Sequence, residues 1–186
     1  MNRLFLTKLH LILAAFMFPA VLMFLATGAL YTWGSKGEWF ENSYEVTLAE
    51  PYATQSQGDL TSVAVQVLLG NNVPIPSGAE SLSGEGAEQE LSWTGARSEV
   101  SVTATDNPMA AKVTVKEASF HRWLVQLHKA KGSTIFKAYA TFLAFTLFVL
   151  VASGVVMGLQ SPPLRRLTIG SSAAGVVGFV AFVLLG

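Results

Sequence analysis

Three histidines, His10, His121 and His128, are the side chains in this sequence best suited to binding a metal or moving a proton. The chain contains no cysteine, so disulfides, iron–sulfur clusters, thiolate zinc sites and cysteine nucleophiles are excluded. Metal chemistry falls to His, Met and carboxylates. His121 and His128 are seven residues apart in FHRWLVQLH; on a continuous helix they share a face, about 10.5 Å apart along the axis. Read without a ligand, His10 and His128 are polar caps at a membrane interface, their ring nitrogens on backbone carbonyls or lipid headgroups, and His121 is a surface residue. The acidic run EGAEQE (85–90) lacks the spaced Asp and Asn ligands of a calcium loop and reads as a solvated loop. No Ser-His-Asp set, phosphate loop or dinucleotide fingerprint can be placed. Nothing therefore points to a hydrolase, kinase or nucleotide-driven pump, and the chain does not read as an enzyme on its own.

The elements that position these residues are apolar runs. Of 186 residues, 51% are hydrophobic and 13% charged, about half the charge content of a soluble domain, so the chain reads as a membrane protein. Residues 9–33, LHLILAAFMFPAVLMFLATGALYTW, carry no acid, Lys or Arg and match the roughly 20 residues that cross a hydrocarbon core. Pro19 predicts a kink, and Tyr31 and Trp33 fall where an interfacial aromatic belt would lie. A cleaved signal peptide fits less well, because the run exceeds a signal h-region and no clear A-x-A site follows. Residues 138–159 and 167–186 form a second and a third span. Between them QSPPLRR reads as a polar turn, with Pro162 and Pro163 ending one helix and Arg165 and Arg166 holding the turn on one side of the bilayer. Gly170, Ala174 and Gly178, with Ser171 and Gly175 beside them, form a small-residue stripe suited to close packing within the chain or against a partner.

Charge is segregated. All twelve acids lie between Glu38 and Glu117; with four cations in residues 33–120 the net charge there is −8, and the other eight cations give +8 elsewhere. An acidic middle section held between membrane anchors argues against nucleic-acid binding. Arg3 and Lys8 precede the first span and Arg165 and Arg166 separate the second from the third, which places both groups in the cytoplasm and residues 34–137 outside. Arg122, Lys129, Lys131 and Lys137 run against that bias. Within the acidic section, SYEVTL (43–48) alternates like a strand, and LTSVAVQVLLGNN (60–72) reads as a helix with Asp59 as N-cap. PIPSGAESLSGEGAEQ (74–89) reads as a mobile loop. ELSWTG (90–95), SEVSVTA (98–104) and AKVTVKEA (111–118) complete an antiparallel meander. HRWLVQLH then gives an amphipathic helix, with Trp123, Leu124 and Leu127 as its apolar stripe and Arg122, Lys129 and Lys131 as cations for lipid phosphates. The architecture expected is an N-terminal transmembrane helix (1–33), an extracytoplasmic α+β domain (34–119), an interfacial helix (120–137) and a transmembrane hairpin (138–186).

Short motifs punctuate the spans: Leu9-His10 and Thr27-Gly28 around the first, then Leu127-His128 with Gly132, and Ser153-Gly154, around the second. On these motifs, and on KLHLILA…TGALY, FHRWLVQLHKAKG and ASGVVMGL, nearly the whole chain resembles the PepSY-associated transmembrane family, as a compact three-span member. The resemblance implies a PepSY-like domain on the periplasmic side of a bacterial inner membrane, and protease or redox partners. Larger relatives have at least four spans, and some reduce ferric siderophores with haem held by span histidines. His10, His121 and His128 are then candidate haem b ligands. A six-coordinate haem needs two imidazoles at similar depth, yet His10 and His128 fall about a bilayer thickness apart and do not share an iron within one monomer. A five-coordinate iron, a ligand from Met17, Met23, Met109 or Met157, or pairing across a homodimer stay open. The reading that follows is an accessory membrane protein whose acidic domain binds or positions a partner, with membrane lipids and a protein partner or second copy around it. The alternative is a haem b electron-transfer subunit linked to ferric-siderophore reduction, and a purely structural small subunit is the third reading.

Overall fold

The computed structural model describes residues 3–186; residues 1 and 2 and the Arg3 side chain, counted above with the first span, lie outside the described residues. The elements follow in the order α1 (Arg3–Thr32), β1 (Trp39–Thr47), α2 (Gln57–Gly70), β2 (Glu80–Ser83), β3 (Glu90–Thr94), β4 (Ser98–Ala104), β5 (Ala110–Ala118), α3 (Phe120–His128), α4 (Thr134–Gln160) and α5 (Pro162–Leu185), with 3-10 turns at Tyr52–Thr54 and Gly86–Glu88. Contacts divide the chain into two units, one of residues up to Val21 with Thr141–Gly186, the other Leu22–Ala140. Helices α1, α4 and α5 are each long and apolar enough to cross a membrane.

In the helical unit, α1 runs through Pro19 without a break. The turn between α4 and α5 is tight, as expected, but the prolines fall on its other side. Ser161 alone separates the two helices, and Pro162 and Pro163 open α5 rather than end α4. Proline is favoured there because the first N–H groups of a helix have no intrahelical acceptor to lose. Gly158 lets α5 approach, since a Cβ at that position would overlap the Thr168 side chain. Beyond this point, no residue of α5 is buried, and a Cβ at Gly170, Gly175 or Gly178 would meet nothing within 4 Å. Among the described residues the stripe is therefore uncovered.

The other unit is built on a five-stranded antiparallel sheet of order β1-β5-β4-β3-β2. The alternation of apolar and polar residues in β3, β4 and β5 sends Leu91, Val100, Val102, Val113 and Val115 to one face, where Leu60, Ala64 and Leu68 of α2 cover them. The helix starts one turn earlier than expected. Ser56, not Asp59, is the N-cap, and Asp59 closes a capping box by accepting from the Ser56 backbone N–H at 3.0 Å. The Ser56 hydroxyl and then its N–H hold the Asp59 carboxyl below its usual range.

The segment 74–89 is not the mobile loop expected. Leu82 pairs with Leu91 across β2 and β3, Trp93 Nε1 donates to the Gly78 carbonyl at 2.8 Å, and Ser98 Oγ donates to the Pro74 carbonyl at 2.5 Å. Its Gly/Ser/Glu composition hides these ties, because the donors sit on the strands that follow.

Tyr52 locks the 3-10 turn onto the sheet. It is 1% exposed, and its hydroxyl reaches the carbonyls of Gln89 (2.8 Å) and Val102 (2.9 Å), while Gln89 Nε2 donates back to the Tyr52 carbonyl at 2.8 Å. Burial first, and the nearby Glu90 charge second, push the phenol from 10.0 up to about 12. The folded state disfavours the phenolate, so the stabilisation is full below pH 10.0 and is lost as the pH climbs towards about 12. Tyr52→Phe should cost about 1–3 kcal/mol at neutral pH by orphaning buried carbonyls, and should flatten the loss of stability between pH 10.0 and about 12. Denaturant melts of the full chain followed by tryptophan fluorescence measure both effects.

Candidate functional site

Each Leu-His histidine is tied to the hydroxyl of a Thr-Gly or Ser-Gly pair. In the helical unit, His10 on α1 places Nδ1 2.9 Å from Ser153 Oγ of α4. That oxygen lies 3.0 Å from the Leu150 carbonyl, one turn back along α4. Ser153 is buried and His10 half-buried. A second contact runs alongside, Thr7 Oγ1 lying 3.5 Å from Met157 Sδ.

The arrangement recurs in the sheet unit. His128, the last residue of α3, places Nδ1 3.0 Å from Thr27 Oγ1. The buried Thr27 hydroxyl lies 2.6 Å from the Met23 carbonyl and 3.3 Å from that of Phe24. The Phe24 ring flanks the imidazole at 4.9 Å between centroids. Glycine at position 28 makes room for it, since a Cβ there would stand 3.2 Å from His128 Cε1.

These contacts select a tautomer. A Ser or Thr hydroxyl has one hydrogen, and within a helix it goes to the carbonyl three or four residues back. Both hydroxyls have such a carbonyl in reach. Each oxygen can then accept from Nδ1, an arrangement that would leave the lone pair of the neutral ring on Nε2. Metal-ligating histidines are prepared in this way, with one ring N–H fixed on an acceptor and the other nitrogen turned to the metal. The donor set therefore fits an iron ligand.

His121 departs from the surface position expected. Its Nε2 is buried with no hydrogen-bond partner among the described residues, as are Arg122 Nε and Gln126 Oε1. The cause is the docking of α3 beside the sheet: Ser119 caps it, Arg122 lies over the Trp39 ring at 5.0 Å, and Gln126 Nε2 donates to Glu99 Oε1 at 3.2 Å. Of the methionines weighed as ligands, Met17 is fully buried and Met109 sits in the turn between β4 and β5, its N–H on Asn107 Oδ1. Met23 and Met157 lie one turn from Thr27 and Ser153. Among the described residues no group of three or more His, Asp or Glu converges on a metal-sized site.

Reading the residues alone placed His10 and His128 on carbonyls or lipid. The structure instead interposes a hydroxyl, which takes the carbonyl and offers its oxygen to the ring. The signal was present as the same two dipeptide types occurring twice, but the partner of each histidine lies 101 or 143 residues away.

Compared with known proteins, residues 3–185 match the family model described as the PepSY-associated TM region. No curated protein and no solved structure gives a match. Thr27→Val removes the acceptor of His128 and should lower stability by about 1–3 kcal/mol, whereas Thr27→Ser should stay near wild type; unfolding of the two variants in one detergent separates the lost hydroxyl from the lost volume.

Proposed function

As the chain belongs to the PepSY-associated TM family and is a membrane protein with three helices able to span a bilayer, we propose that it is an accessory electron-transfer subunit in which His10 and His128 would hold haem b. The observation that supports this most is the pair of imidazoles held by Ser153 and Thr27 with Nε2 left as the lone-pair nitrogen. Haem bound there supplies a one-electron couple at iron. The chain's own part is to fix each ring and to withhold Nδ1 from competition. Each unit brings one hydroxyl-anchored histidine, so a haem held by two histidines would take the second from a second copy or from a redox partner. The orientation that fits has Lys8, Arg165 and Arg166 in the cytoplasm of a bacterium and the acidic domain in the periplasm, in line with the positive-inside bias.

A second reading gives the acidic domain the main part, as a platform that positions a periplasmic partner. What favours it is the polar sheet face opposite α2, which α3 meets only at its edge, through Gln126 on Glu99: Glu41, Glu45 and Glu90 project there with Lys112 and Lys116 among Ser43, Ser92, Ser101 and Thr114, with a depression of about 180 Å³ between Glu90, Glu99 and Lys116.

A reduced-minus-oxidised visible spectrum of the protein purified from haem-replete cells separates the two. Electron transfer predicts a b-type α-band, weakened in His10→Ala and in His128→Ala and lost in the double variant. A featureless spectrum at full yield would contradict haem binding, and retrieval of a specific cross-linked partner by the intact acidic face would then support the platform.

A further inference from the structure

Where α3 gives way to α4, the sheet unit carries an open groove of about 320 Å³. Its walls are apolar: Ile75 on the loop after α2, Trp123 and Leu127 on α3, and Phe136 in the first turn of α4. Ile75 is 47% exposed, so the chain's own side chains leave this wall uncovered. At its rim the Arg97 guanidinium lies 4.3 Å above the Trp123 ring and is solvent-exposed. Among the described residues Arg97 has no carboxylate within ion-pair distance, the single ion pair being Lys116 with Glu41. Glu117 shares with Arg97 the wall of an adjoining cavity of about 270 Å³ without pairing to it.

Position and charge define the occupant. Ser133 lines the groove and accepts from the Phe136 N–H at 3.3 Å, so the groove opens beside the positive end of α4, a helix able to span a bilayer. The Lys131 carbonyl accepts from Ser77 Oγ, a wall residue, at 3.3 Å, and the next residue, Gly132, lines the groove, so the Lys131 backbone passes its rim. From residue 118 to 137 the chain carries Arg122, Lys129, Lys131 and Lys137 and no acid, the pattern that draws anionic headgroups to the edge of a span. We propose that this groove binds one anionic phospholipid, its phosphate on Arg97 and Lys131 and the first methylenes of a chain against Ile75, Leu127 and Phe136. The site is separate from the histidines and stands whether or not they bind haem.

The test uses the full chain in a neutral detergent, with phosphatidylglycerol, phosphatidylcholine or soluble glycerol 3-phosphate added, and reads retained lipid by native mass spectrometry together with the melting temperature. Phosphatidylglycerol should be retained at one per chain and raise the melting temperature, and the other two should not. Arg97→Gln should weaken that retention about fivefold, the effect of one cation near an anionic surface. Ile75→Asp, at an exposed position that leaves folding intact, should abolish it, and Lys112→Gln, on the strand face away from the groove, should retain it. Equal retention of both lipids, stabilisation by glycerol 3-phosphate alone, wild-type retention by Arg97→Gln, or a lipid-insensitive dimer masking the groove would each overturn the proposal.

Discussion

The single hydrogen of a hydroxyl group governs how His10 and His128 are held. A serine or threonine inside an apolar helix gives that hydrogen to the carbonyl a turn behind it, because water is absent and the carbonyl is the nearest acceptor. Ser153 and Thr27 both do so. Each is then an acceptor towards the imidazole that reaches it, which would leave the lone pair of the neutral ring on Nε2. A backbone carbonyl in the same place would also accept from Nδ1. The hydroxyl differs in that it extends the acceptor away from the helix and places it at a chosen side-chain position, which the next residue, Gly28 or Gly154, leaves unobstructed.

The same constraint explains why the helical parts tolerate polar residues. Thr27 and Ser153 are buried polar groups, and both have their donor and acceptor capacity used, which removes the cost of placing them in an apolar setting. The sheet unit solves a different problem. It carries all twelve of the chain's acids and sets Glu41, Glu45, Glu90 and Glu99 on the face away from α2, so the core of Leu60, Leu68, Val102 and Val113 stays apolar while the other face is polar, as antiparallel sheets allow. Tyr52 and Gln89 are the polar exceptions in that core, and they satisfy one another's backbone.

The sequence disclosed what depends on local pattern. The three apolar runs, the meander of β3, β4 and β5, and the helix HRWLVQLH follow from periodicity over a few residues, and the family resemblance from motifs of two or three; the interfacial helix expected over 120–137 instead ends at His128, and α4 begins at Thr134. What it hid depends on distant contacts. Strand β1 joins the sheet beside β5, 71 residues on from Ser43 to Thr114, and nothing in SYEVTL names that neighbour. The loop before β3 looked mobile because its own residues are small and polar, whereas Trp93 and Ser98, which hold it, come later. His121 looked exposed because it precedes arginine on an amphipathic helix, and only the docking of α3 buries its Nε2. The histidine motifs were legible one by one; that the first histidine answers the second hydroxyl, and the second histidine the first, is a property of the fold.

The central claim is that both rings are held as Nδ1–H donors with Nε2 bare. Ring-selective 15N NMR of histidine-labelled full chain in nanodiscs, at mildly alkaline pH and without haem, reads this directly, with His10→Gln and His128→Gln assigning the signals. The account predicts, for His10 and His128 alike, a protonated Nδ1 and an unprotonated Nε2. A protonated Nε2 beside a bare Nδ1 in either ring would mean that the hydroxyl donates to the histidine, and would contradict it.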